Sequence, residues 1–219
     1  MPEHLIIFRD GVSEGQFDTV RDVEIPLIRK AIEAKTLKNM KPITLTLIIV
    51  QKRHNTRFVT TEPYQKDARS RQMTRNVPSG TVVDNTIVEP NFDIFYVNSH
   101  FSILGTSRPT KYIVSVNELK LSNAELQRLC FLVCFNCVRH KMPMSLPTPV
   151  MYADLCAYKS KIHIMHRIST EEKYNEEEID YDFDDHQSPE NIEVENRQIH
   201  RYQQWVKIPD NSKDCLFFV

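Results

Sequence analysis

His4-Leu5-Ile6-Ile7-Phe8-Arg9-Asp10-Gly11-Val12-Ser13, close to the start of the chain, is the stretch whose reading decides the fold. Four apolar residues in a row, Leu5 to Phe8, end abruptly at Arg9-Asp10-Gly11. A short continuous apolar run closed by a glycine marks a strand buried on both faces. A helix is expected next, because Ser13 stands three residues before Gln16 with the spacing of a capping box. Phe17, Val20, Val23, Leu27 and Ala31 continue at helical period, and Pro26 predicts a kink or break among them. Ile43 to Val50 then forms a second apolar run. Strand, helix and strand at this spacing make a βαβ unit with a parallel pair.

Working outward, residues 64 to 76 read as a mobile basic loop, and Thr81–Val88, Asp93–Asn98 and Lys111–Asn117 as further strands. Ser122, with Glu125 in the capping-box position, opens a helix expected to reach about His140. Thr148-Pro149 opens another, expected to end near His166, since proline suits the first helical turn. A helix or strand is expected at Ile199–Lys207, and the apolar end Cys215-Leu216-Phe217-Phe218-Val219 is expected to tuck inside. The fold class is α/β. The four glycines, Gly11, Gly15, Gly80 and Gly105, all fall beside strand ends or helix starts, where ligands of open α/β sheets bind.

The chain has 219 residues, 41% hydrophobic and 26% charged, an ordinary globular mix. No apolar run is long enough to span a bilayer, and no basic segment followed by an apolar one marks a secretory signal. The 28 basic and 29 acidic residues are unevenly placed. Residues 171–195 hold twelve acidic residues and one lysine, so the remainder has 27 basic and 17 acidic residues, an excess of ten positive charges. The acidic stretch reads as one solvated, disordered loop at about 170–196, and the basic remainder favours a polyanionic partner. Five cysteines, with Cys130, Cys134 and Cys137 on one apolar helix and no paired C-x-x-C, argue for core packing over disulfides or zinc. A reducing, cytoplasmic location is expected, with the nucleus left open.

Six segments occur in one order: RDGVSEGQF (9–17), QKRHNTRF (51–58), PSGTVVD (78–84), DIFYVNSH (93–100), GTSRPTKY (105–112) and SLPTPVMYAD (145–154). In these the chain resembles the PIWI domain of Argonaute proteins, the Argonaute branch rather than the Piwi branch. The resemblance implies a ribonuclease H-like fold, of which residues 1–219 would be the C-terminal portion with an incomplete sheet. It implies RNA silencing guided by a small RNA, with guide RNA and target RNA as partners, silencing proteins besides, and neither membrane nor DNA. Active members of the family cut paired RNA with two divalent cations, Mg2+ or Mn2+. Asp10 and Asp154 match two of the four metal-binding, catalytic positions, and many members carry His at the second.

Two carboxylates cannot hold two metals, and Glu14 and Glu24 lie on the wrong element to replace the missing pair. The chain on its own is therefore expected not to cut RNA, although a parent with the full set would. Two other readings are a silencing factor that carries guide RNA without cutting, and a truncated fragment without independent activity. Lys52, Arg53, Arg57, Arg108, Arg139 and Ser145 match positions along the family's guide path, and Lys159 matches a basic position near the guide 5′-phosphate. His54 and His100 are expected to be structural or to contact RNA, because no nucleophile stands beside them.

Overall fold

The computed structural model describes residues 2–35, 41–65, 73–90, 93–102, 105–171 and 200. They fall into two compact units, Met1–Met151 and Tyr152–Val219. In the first unit a five-stranded sheet has the order β1-β2-β7-β6-β5, and two further strands, β3 and β4, pair with each other. The strands are β1 His4–Asp10, β2 Thr44–Gln51, β3 Val59–Gln65, β4 Met73–Asn76, β5 Thr81–Val83, β6 Asp93–Asn98 and β7 Thr110–Asn117. β1 and β2 are parallel, with Asp10 opposite Val50, as the βαβ reading requires. The pairs β2–β7, β7–β6 and β6–β5 are antiparallel, so the sheet is mixed.

The alternation of side chains along β2 explains why its sequence is apolar throughout. Leu45, Leu47 and Ile49 enter one core with Ile94, Tyr96 and Ile113, while Ile48 and Val50 enter a second with Phe95, Val97 and Tyr112. The helical stretch after β1 covers the first face through Val20 and Ile25. The Ser122-capped helix Asn123–Leu132 covers the second through Leu126 and Cys130. β1, expected to be buried on both faces, is instead half-buried along its length, since it lies at the sheet edge and pairs with β2 alone among the described residues.

The helix after β1 departs from its expected register for a definite reason. Ser13 N–H and Oγ–H both donate to Gln16 Oε1 at 3.0 Å, so the expected box forms at the start. Residues Val20–Glu24 then form a π turn in which the Ile25 amide donates to the Val20 carbonyl, five residues back. One extra residue rotates everything downstream by about 100°. Ile25, Ile28 and Ile32 therefore face the core, and Val23 and Leu27, expected inside, are 52% and 58% exposed. Pro26 follows directly and causes no break, for the α-helix Ile25–Lys35 runs through it. Proline lacks the amide and crowds the carbonyl four residues before it, and a widened turn accommodates both.

Other boundaries also moved. The expected loop 64–76 contains the ends of the paired strands β3 and β4, and its residues 66–72 lie outside the described set. β5 stops at Val83 rather than Val88. The Ser122-capped helix does not reach His140; it tightens into a 3-10 turn at Val133–Phe135 and ends. The carbonyls that would continue it are taken, Val133 by the Thr148 hydroxyl at 2.6 Å and Cys134 by the Met144 amide at 2.8 Å. Cys130, Cys134 and Cys137 are buried, in keeping with core packing. The helix expected from Thr148 extends to Glu171 and supplies almost all of the described second unit. The acidic loop, the element at Ile199–Lys207 (His200 apart) and the apolar C-terminus fall outside the described residues.

Because the π turn sets which residues are buried, substitutions separate the two registers. Val20→Ala and Ile25→Ala should each destabilise the chain by about 2–4 kcal/mol, while Val23→Ala and Leu27→Ala should cost less than about 0.5 kcal/mol. Urea denaturation of the four variants measures this, and an uninterrupted α-helix would reverse the ranking of Val23 and Ile25.

Candidate nucleic-acid interface

The pairing registers bring the motifs to one end of the sheet. Asp10 ends β1 opposite Val50, Gln51 ends β2 opposite Lys111 near the start of β7, and Asn98 ends β6 opposite Thr81 at the start of β5. Five of the six motifs thus contribute to the same edge: Asp10-Gly11, Gln51–Arg57, Pro78–Gly80, Asn98–His100 and Gly105–Thr110. The sixth reaches it through its first residue, since the Thr110 hydroxyl donates to the Ser145 carbonyl.

Neutral side chains hold these loops together. Asn76 donates to the Gly105 carbonyl at 2.9 Å and accepts from the Ser107 amide at 2.9 Å, which fixes the segment carrying Arg108. Asn98 Nδ2 donates to Val77 O at 3.0 Å and to Pro78 O and His100 O at 3.3 Å. Ser79 donates to Ser99 O, and Ser99 in turn to Met144 O at 2.6 Å. Gly80 turns at φ +90°, a conformation in which any side chain would be strained, and a Cβ there would touch Phe131 at 3.5 Å. Of these framework residues Gly80 was singled out in the sequence, and Ser79, Asn98 and Ser99 fall within the motif segments without a role of their own; Asn76 lies outside the motifs, where a buried asparagine carries no periodic signal.

On this frame stand the cations. Lys52 is half-buried, and burial with the charges of Arg108 and Arg57 brings its ammonium down to about 8. His100 is half-buried beside Lys52, and burial with that charge brings it down to about 4. His54 is also lowered, mainly by burial. Its Nε2 lies 3.0 Å from the Pro109 carbonyl and so carries the hydrogen, and its ring meets Tyr96 edge-on at 5.4 Å. Arg57 donates to His54 O at 2.9 Å and Thr56 O at 2.7 Å. Arg108 and Arg53 are exposed. Lys111 is buried and paired at 3.2 Å with Glu14, the one carboxylate among the described residues in an ion pair with this group.

Asp10 is exposed at the same sheet end. Its neighbour Arg9 folds back, donating to the Asp10 carbonyl and, through two nitrogens at 2.8 and 2.9 Å, to the Glu24 carboxylate at the end of the π turn. This clamp fixes the backbone at Asp10, and the fifteen-residue separation with an intervening π turn hid it from the sequence. Arg139 stands exposed in the turn Cys137–His140 rather than on a helix, and Ser145 is half-buried in the loop before Thr148. Asp154 and Lys159 belong to the second unit, where one continuous helix presents Asp154 exposed and Lys159 half-buried. Five residues are about 140° of helical rotation, so the two point in different directions.

No group of three or more His, Cys, Asp or Glu able to hold a metal occurs among the described residues. Among the described residues Asp10 and Asp154 are thus without the further carboxylates that a two-metal centre needs. No helix among the described residues is long and apolar enough to cross a membrane.

The Arg9 bonds lower the Glu24 pKa below its ordinary value. A depressed carboxyl contributes stability above its unfolded pKa, about 4.3, and loses it as pH falls through the folded value. Glu24→Gln should therefore cost up to about 1 kcal/mol at pH 7, since both partners are about one-third or more exposed, and the difference from the unaltered chain should shrink at pH 3. Urea midpoints at the two pH values test this.

The Piwi domain family model matches residues 1–164. The chain is 42% identical over 163 residues to protein argonaute 2 of Oryza sativa subsp. japonica, covering 74% of this chain and 15% of that protein. It is 38% identical over 164 residues to protein argonaute 7 of Arabidopsis thaliana, covering 75% and 15%. It thus spans about one-seventh of the length of these relatives. Among solved structures, the C-terminal lobe of a budding yeast Argonaute matches with a TM-score of 0.72 at 24% identity, over all of this chain and 40% of that one, a likeness of fold. Kluyveromyces polysporus Argonaute with a guide RNA matches with a TM-score of 0.64 at 30% identity, over 73% of this chain and 19% of that one. The mixed sheet is accordingly the ribonuclease H-like sheet of these lobes, present in part.

Proposed function

The chain belongs to the Piwi domain family, and from that premise we propose that it binds the phosphodiester backbone of a small guide RNA at the sheet end that carries Lys52, Arg57 and Arg108. The observation that carries this reading is the cation group itself. Lys52, Arg57 and Arg108 come together on loops held by neutral side chains, and among the described residues none of the three forms an ion pair with a carboxylate. Like charges held together without counterions are an unfavourable arrangement that a polyanion relieves, releasing its own counterions as it binds. Contacts of this kind carry no sequence information, as a protein whose specificity resides in a guide requires. The solved relative that holds a guide RNA supports the same class of ligand.

Arg53, beside Lys52, and Arg139 and Ser145 extend the proposed path in the first unit; Lys159, on the helix of the second, is proposed as a phosphate contact of its own from its match to the family's basic position. In this reading a target RNA pairs with the guide, and silencing follows through partner proteins. Mg2+- or Mn2+-dependent cutting of the target would need ligands beyond Asp10 and Asp154, since two carboxylates cannot hold two metals. Asp10 and Asp154 would serve as ligands only where further carboxylates join them.

Fluorescence anisotropy with a labelled 21-nucleotide single-stranded RNA tests the proposal on the 219-residue chain. Lys52→Ala and Arg108→Ala should each weaken binding about tenfold at 50 mM salt and reduce the slope of log affinity against log salt by about 0.7. Unchanged affinity in both variants, or no binding at 50 mM salt, overturns the reading.

A further inference from the structure

The same sheet end holds a second feature, which the binding reading leaves unused. Four buried polar atoms have no hydrogen-bond partner there: His54 Nδ1, His100 Nδ1, Asn98 Oδ1 and Ser107 Oγ. Asn98 and Ser107 are each 1% exposed. Buried polar atoms are normally paired, and leaving one unpaired is costly. For the two histidines the missing partner decides the charge. His54 already donates from Nε2 to Pro109 O, so a second proton would place an N–H at Nδ1 with no acceptor. His100 Nδ1 is likewise buried without a partner, and the ring lies close enough to Lys52 to feel its charge.

The groups around them are overwhelmingly positive. Arg57 and Arg108 act on Lys52 from the loops after β2 and before β7, and Lys111 acts on His54 from β7. From the 3-10 turn Val133–Phe135 the buried Cys134 thiol also acts on Lys52, and its own pKa is raised by burial, so it stays neutral. Among the described residues Glu14 is the one carboxylate in an ion pair with the group, and it is spent on Lys111, while Asp10 stands exposed at the same sheet end. The free site therefore disfavours protonation, whereas a phosphodiester brings negative charge beside Lys52 and acceptor oxygens for a second N–H on His54 or His100 and for the Ser107 hydroxyl.

Resting on the proposed reading of this site, we infer that a phosphodiester chain binds here together with protons, taken up by Lys52 and His100, so that pH sets the affinity of the site. The direction follows from linkage: a base whose pKa rises on binding takes up a proton, and affinity falls as pH climbs past its value in the free protein. Lys52, at about 8 when free, gives an alkaline window, and His100, at about 4, an acidic one. If the phosphodiester restores Lys52 to an ordinary lysine, binding should be about tenfold weaker at pH 9 than at pH 7.

Isothermal titration of the 219-residue chain with a 21-nucleotide RNA of A and C only, carrying a 5′-hydroxyl, measures this. Neither those bases nor the phosphodiesters titrate between pH 6 and pH 9. Runs at pH 8.5 and pH 6.0, each in two buffers of different ionisation heat, give the protons taken up. Uptake of about half a proton or more at pH 8.5 is expected, with a smaller positive value at pH 6.0. Lys52→Arg should remove the alkaline uptake, because guanidinium does not titrate there, and His100→Gln the acidic one. Binding without proton uptake at either pH overturns this inference and leaves the binding reading intact. Uptake that persists in both variants overturns the assignment to Lys52 and His100. Failure of the RNA to bind overturns both readings.

Discussion

Burial of β2 on both faces is the constraint from which the rest of the first unit follows. Leu45, Leu47 and Ile49 on one side and Ile48 and Val50 on the other are essentially inaccessible to solvent. At about 25 cal/mol per Å2 of apolar surface removed from water, a strand of this kind is stable only if each face is covered. One cover comes from the helical stretch after β1, the other from the Ser122-capped helix. Their connections leave and enter the sheet at strand ends, so the loops gather where β2 and β6 finish and β5 and β7 begin.

That gathering has an electrostatic consequence. Segments far apart in sequence, at residues 51–57, 98–100 and 105–111, each bring a cation or an imidazole to the same edge. Lys52 cannot withdraw into water as a surface lysine would, because the strand behind it is fixed in the core. The lowered pKa values of Lys52 and His100 express that confinement. Reach limits the effect, for Arg108 and Arg53 keep their exposure and with it their ordinary hydration.

What the sequence made legible follows the same division. Continuous apolar runs identified β2 and β6, and the Ser122 and Ser13 capping boxes located two helix starts, since these signals are local and read from residues a few places apart. The motif segments identified the residues that meet at the sheet end. Hidden were features whose partners are distant in sequence or change the period. The π turn moved the buried face from Leu27 to Ile28 without altering composition. The Val133 and Cys134 carbonyls were capped from residues 148 and 144, so the helix ended earlier than its apolar pattern suggested. Asn76, Asn98 and the Arg9–Glu24 clamp were invisible for the same reason: each acts across 15 or more residues.

The neutrality of the frame is what makes the cation group available. A carboxylate within 4 Å of Lys52 would interact with it by about 4 kcal/mol at an effective dielectric near 20, and an incoming phosphate would have to displace it. The loops are instead fixed by amide and hydroxyl hydrogen bonds of Asn76, Asn98, Ser79, Ser99 and Thr110, worth about 1 kcal/mol each and indifferent to the charge beside them. Several such bonds hold the geometry while leaving the positive potential uncancelled. Glu14 shows the alternative in the same unit: it satisfies Lys111, and that lysine is thereby withdrawn from the set open to a ligand. A site built this way is least stable when empty, and the proposed affinity for a polyanion and the lowered pKa values of Lys52 and His100 have one cause.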